Sequence, residues 1–173
     1  MYYQIITPIE SFLNTEGIIT YKIKGKSMEP MLRSNIDLVT IQKLTPYDIL
    51  YENDVVLYKH NNLLILHRIV EINKNNEYTI LGDNCSLKEY GIKKNQIIGR
   101  LTSFTRNGLH YTMNTPAYLN YIERLRNLQE KRIIRKRIYD VIIWYIRFLP
   151  FKLLINIKRI LRKLILINFF FEK

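Results

Sequence analysis

Between positions 18 and 106 the apolar residues fall in short, β-branched runs, several of them alternating with polar residues at a period of two. The runs at 18–24, 36–43, 54–58, 63–72, 77–81 and 97–105 read as strands. Turn residues separate them. Asn61-Asn62 and Asn75-Asn76 suit hairpin turns, and Gly82-Asp83-Asn84 and Asn107-Gly108 mark further breaks. One short helix is expected near 8–14, and the rest of this part reads as all β.

At Thr115-Pro116 the pattern changes to a helical one. Thr115 can cap a helix with Pro116 in its first turn, and glycine is absent from there to the end. The stretch from 118 to about 148 carries basic clusters, among them Arg124, Arg126, Lys131 and Arg135, then turns apolar over 141–146, and Pro150 should interrupt it. Further on, Leu153, Ile157, Ile160, Leu161 and Leu164 share one helical face, with Lys158, Arg159, Arg162 and Lys163 on the other. That is a cationic amphipathic helix. The expected architecture is a mainly β domain over 1–115 followed by a basic α-helical C-terminal tail over 116–173.

Charge sharpens this division. The net +12 is uneven: residues 1–115 hold 13 Lys/Arg against 11 Asp/Glu, leaving 14 against 4 for residues 116–173. So segregated a basic segment points to a polyanionic partner, a nucleic acid or an anionic membrane surface, because like charges self-repel until something neutralises them. The chemistry is sought in the nearly neutral part.

A single cysteine, Cys85, excludes an internal disulfide framework and a cysteine-rich zinc site. Glycine-rich phosphate loops and metal-type His/Cys spacings are absent too, so no metal or organic cofactor is expected. The first eight residues lack the basic region and long apolar run of a secretory signal, and no uncharged stretch reaches the roughly 18 residues of a simple membrane-spanning helix.

Three segments carry candidate chemistry: Gly25-Lys26-Ser27-Met28-Glu29-Pro30, Leu66-His67-Arg68-Ile69-Val70 and Leu81-Gly82-Asp83-Asn84. Each alone is ordinary. A serine between a strand and a proline-stiffened turn is exposed and held, as a hydroxyl nucleophile must be, yet many turn serines do nothing. His67 shares a strand face with Leu63, Ile65 and Ile69, which is also where a core histidine sits. Asp83 in a Gly-Asp-Asn turn is by itself an exposed turn aspartate.

Taken in order, Ser27-Met28-Glu29-Pro30, strands opening at Asp37 and Asp54, the His67-Arg68-Ile69-Val70 strand and Gly82-Asp83-Asn84 resemble the type I signal peptidase family over roughly residues 18–106. The bacterial enzymes of that family have lysine before Arg-Val-Ile, and the archaeal and endoplasmic-reticulum types have histidine. The resemblance therefore implies a signal peptidase-like β fold, Ser27 as nucleophile and His67 as general base. The family's third catalytic position is an aspartate shortly after Gly-Asp-Asn, and six residues beyond Asp83 stands Glu89; either Asp83 or Glu89 could orient His67.

The chain departs from the family at two points. Where the bacterial enzymes carry a serine hydroxyl that assists the oxyanion, this chain has Gly25, which can open a backbone amide to take its place. Asn35-Ile36 precedes Asp37 where glycine is usual. Among other candidates, Lys26 should point to the opposite face from Ser27, His60 and His110 sit in turns where solvation is expected, and Cys85 is incidental.

The implied substrate is a signal or leader peptide with small side chains near the cut. The implied location is a membrane surface of undetermined side, reached through the tail, with Trp144, Tyr145, Phe148 and Phe169-Phe170-Phe171 entering the interface. The tail can instead pack its apolar face on protein. Two other functions compete. One is a self-cleaving SOS-repressor-type regulator, disfavoured because that group has the lysine pattern and because no helix-turn-helix is expected from residues 1–17; a nucleic-acid partner is not expected either. The other is a non-catalytic binding module on the same fold.

Overall fold

A computed structural model describes residues 8–60 and 63–146. Among them are helix α1 (Pro8–Glu16), strands β1 (Ile18–Lys22), β2 (Leu38–Lys43), β3 (Val55–His60), β4 (Leu63–Ile72), β5 (Tyr78–Leu81), β6 (Glu89–Ile92), β7 (Ile97–Arg106) and β8 (Leu109–Thr112), and helix α2 (Pro116–Ile146). The protein is mainly an antiparallel β sheet with a C-terminal helix. Across the sheet the order is β1-β2-β7-β3-β4-β5-β6, with β8 also on β7. β7 is the seam, since its first half pairs with β3 and its second half with β8, while β2 runs along its other edge.

The central strands are covered on both faces. Val55 and Leu57 of β3 join Leu66, Val39, Ile41, Leu101 and the α1 residue Leu13 in one cluster. Val56 and Tyr58 turn the other way, to Ile69, Tyr78, Ile80 and Ile97. The period of two thus sorts one strand into two cores.

Local chemistry sets where elements begin and end. β1 stops at Lys22, before Gly25 at φ +92. β2 starts at Leu38, later than the apolar run suggests, because Asn35 takes φ 58 and the Asp37 carboxylate accepts the Arg33 N–H at 2.8 Å in the turn before it. β3 starts one residue after Asp54, whose carboxylate holds the Tyr51 N–H at 2.9 Å. In the β4–β5 hairpin Asn73 Oδ1 accepts from the N–H groups of Asn75 and Glu77, and Asn76 takes φ 56. At Asn107-Gly108, read from sequence only as a break, both residues have positive φ and close the β7–β8 hairpin.

The start of α2 matches its expected cap, with the Tyr118 N–H donating to Thr115 Oγ1 at 3.3 Å. The first compact unit extends beyond the composition change at 115, through Gln129, and a second begins at Glu130. The first turns of α2 therefore belong with the sheet, where Leu125 is buried. The Asn61-Asn62 turn, the amphipathic stretch 153–165 and the terminal phenylalanines lie outside the described residues. Among the described residues no helix is long and apolar enough to cross a membrane.

Candidate active site

Ser27 lies in the turn that follows β1. Gly25 makes the bend: a Cβ there would meet nothing within 4 Å, so it is the φ of +92, not space, that calls for glycine. The turn closes through Glu29 N–H to Lys26 O at 3.2 Å and Leu32 N–H to Met28 O at 2.9 Å. Met28, Met31 and Leu32 are buried beneath it and hold it down. Ser27 is left half-buried on the wall of a groove of about 400 Å³ lined by Tyr21, Ile23, Leu57, Leu64 and Leu66.

Asn84 ties this turn to the Gly-Asp-Asn segment. Its N–H donates to Ser27 O at 2.7 Å and its Nδ2 to Lys26 O at 3.1 Å. Gly82 is the meeting point: a Cβ built there would fall 2.7 Å from Ser27 O, 2.9 Å from His67 Nε2 and 2.8 Å from Cys85 Sγ. Only glycine fits, and its absent side chain lets the serine turn and the histidine approach the same spot.

His67 stands opposite Val56 and is 8% exposed. It faces the cluster of Ile69 and Tyr58, as its strand period predicts. Its Nδ1 lies 3.4 Å from Glu89 Oε1 and 3.3 Å from Tyr58 Oη, while Nε2 faces Gly82. With the proton assigned to Nδ1, toward the carboxylate, Nε2 keeps its lone pair on the serine side. Burial pushes the His67 pKa down, Glu89 and then Asp83 pull it back, and the net is below the ordinary imidazole value. The ring is therefore neutral at pH 7. Burial, reinforced by Glu89, holds the Tyr58 phenol protonated as a donor.

The two carboxylate candidates separate in space. Glu89 is at the imidazole. Asp83, fully buried, is instead gripped by Arg68 through Nε to Oδ1 at 2.8 Å and Nη2 to Oδ2 at 2.7 Å, and accepts the Tyr121 hydroxyl at 2.9 Å. By position Glu89, not Asp83, is placed to orient the imidazole, and Asp83 lies behind it with Arg68.

The remaining candidates sort clearly. Lys26 is exposed. The Gly25 N–H donates to Ser34 Oγ at 3.1 Å. His60 is partly exposed, its side chain at 39%, with Nε2 3.9 Å from Glu89 Oε2. His110 is exposed beside Thr105. Cys85 is half-buried next to Gly82. Sequence reasoning missed Tyr58, Tyr118 and Tyr121; only Tyr58, two residues before His60 on a buried strand, had a periodic signal.

The fold and this site define a mainly antiparallel β protein in which the backbone of a turn serine and a buried histidine meet at one glycine, with a glutamate at the histidine's other ring nitrogen. No protein-family model matches the chain, and no curated protein matches it. The described residues hold no group of three His, Cys, Asp or Glu suited to a metal ion.

Proposed function

We propose that this chain is a serine endopeptidase that resembles type I signal peptidases and cleaves signal or leader peptides with a Ser27/His67 pair. The convergence of the Ser27 backbone and His67 Nε2 on Gly82 carries the reading, with Glu89 on the far side of the imidazole. In this mechanism Nε2 takes the Ser27 Oγ proton as Oγ attacks the peptide carbonyl. The imidazolium is stabilised through Nδ1–H by Glu89 and returns the proton to the leaving amine, and water then cleaves the acyl-enzyme. The Ser27 N–H is the oxyanion donor in this scheme. β1 is an end strand of the sheet, so an extended substrate can lie along it with apolar side chains in the groove beside Ser27.

The test is incubation of wild type, Ser27→Ala and His67→Ala with a panel of leader peptides, followed by mass spectrometry. Wild type alone should cleave, with each variant down by at least about 10³-fold. Cleavage that survives in Ser27→Ala, or none by wild type, ends the proposal.

We further propose that the C-terminal helical region meets an anionic membrane. On α2 the residues Ile134, Ile138, Val141 and Trp144 are exposed at helical spacing, next to Lys131, Arg132 and Arg135. Co-sedimentation with phosphatidylglycerol vesicles should fall about 10-fold or more in Ile138→Glu/Val141→Glu, because both positions face water and their loss removes apolar contact. Equal sedimentation discards this reading.

A further inference from the structure

The Arg68–Asp83 pair is buried at the back of the candidate site, and each member neighbours a site residue in the chain. Arg68 follows His67. Asp83 stands between Gly82, which packs against His67 Nε2 and Ser27 O, and Asn84, which holds the backbone of Ser27 and Lys26. Where this pair sits thus sets where the serine turn and the imidazole sit.

A fully desolvated ion pair keeps its geometry only when its spare donors and acceptors are also met. Here α2 meets them, from 38 and 50 residues away. Tyr121 Oη donates to Asp83 Oδ2 at 2.9 Å. Tyr118 Oη accepts from Arg68 Nη1 at 2.7 Å and donates to Asn53 O at 3.3 Å, a carbonyl that also takes Arg68 Nη1 at 2.8 Å. The Arg68 guanidinium lies 5.7 Å from the Tyr118 ring centroid as well. Burial keeps both phenols protonated, with Asp83 adding to the effect at Tyr121.

We infer that Tyr118 and Tyr121 are positioning residues for the Ser27/His67 site, so that the first turns of α2 are a working part of the catalytic unit and not the start of a separate tail. The inference rests on the proposed peptidase reading for its kinetic consequence, but the arrangement itself is testable without activity. Removing the Tyr121 hydroxyl takes one donor from Asp83 Oδ2 and leaves it to Arg68 Nη2. The Gly82-Asp83-Asn84 turn then relaxes, and with it the straps onto Ser27 and the field at His67.

The experiment uses the full chain and three variants: Tyr121→Phe, Tyr118→Phe and, as control, Leu125→Ala. Leu125 is buried one turn beyond Tyr121 and takes no part in the polar network, so its truncation loosens the helix without touching the pair. Two readouts are taken well below each variant's melting temperature. In the first, Tyr121→Phe should lower kcat about 10-fold at an unchanged KM, since a displaced nucleophile affects the reacting geometry more than binding. The Leu125→Ala enzyme should keep its kcat. The second is the NMR titration of the His67 ring, assigned by its loss in His67→Gln. It should shift by roughly 0.3 pH unit or more in Tyr121→Phe, because Asp83 acts on His67 through its charge, and stay at the wild-type pH in Leu125→Ala.

An inert wild type overturns the peptidase reading and leaves the titration to decide this one. An unmoved titration in Tyr121→Phe, or the same kcat loss and the same shift in Leu125→Ala, overturns the inference.

Discussion

Arg68–Asp83 and Arg106–Asp37 are both two-pronged arginine–aspartate pairs, and both reach the same residue of the serine turn. Arg68 Nη2 donates to Met31 Sδ at 2.9 Å, and Arg106 Nη2 donates to Met31 O at 2.6 Å. Their surroundings differ. The side chains of Arg68 and Asp83 are 2% and 0% exposed, whereas Arg106 keeps 19% beside a fully buried Asp37. The buried pair draws on Asn53 O, Tyr118 and Tyr121, all distant in sequence. The partly open pair is completed locally, by the Arg33 N–H four residues from Asp37 and by water's access to Arg106. A pair at the rim can be closed by its own turn; a pair in the interior needs a second element to finish its hydrogen bonds.

If burial is what separates them, the two aspartates should respond differently to neutralisation. Asp83→Asn leaves the Arg68 charge in the interior and should cost about 3–5 kcal/mol. Asp37→Asn lets the Arg106 head turn to solvent and should cost about 1–2 kcal/mol, the hydrogen bonds of one carboxylate discounted for screening. Urea unfolding of the two variants measures both. Equal losses would mean that the shared grip on Met31, not desolvation, sets the stability of each pair.

Both aspartates were visible in the sequence because each stands in a short motif, but their partners were not. Arg106 closes the last strand of a long apolar run, where it reads as a solvated end, and Tyr118 and Tyr121 fall in the opening of a helix whose basic clusters draw attention elsewhere. Local rules succeeded where one segment carries its own reason: the Thr115 cap, the Asn73–Glu77 turn, the face of His67 along β4. They failed for β6, where Glu89-Tyr90-Gly91-Ile92 has a glycine and little alternation and becomes a strand by pairing with β5, and for β8, four residues that only the Asn107-Gly108 turn delivers to β7. The choice between Asp83 and Glu89 depended on that same missed strand. β6 sets Glu89 opposite Ile80, next to the imidazole, while the buried arginine claims Asp83.

The smallest expected effect comes from pH, and its order tests the contrast again. His67 titrates below its ordinary value in the fold, so the unfolded chain binds its proton first and stability falls as pH drops from about 6.5 through the folded pKa. Glu89 and Asp83 offset part of the burial. For Asp37, burial alone would raise the pKa, but the hydrogen bond from Arg106 and the Arg33 N–H outweigh it and the net is a lowering. Its stabilisation is complete above the unfolded value of about 3.9 and is lost as pH falls through the lower folded one. Melting curves from pH 8 to pH 2 should thus show two separate losses. His67→Gln should erase the upper and leave the lower, whereas Asp37→Asn should leave the upper and reduce the lower, to which Asp48, lowered by its hydrogen bonds to Thr45, also contributes. If the upper loss persists in His67→Gln, the imidazole is not held neutral by burial and does not meet the need of a base beside Ser27.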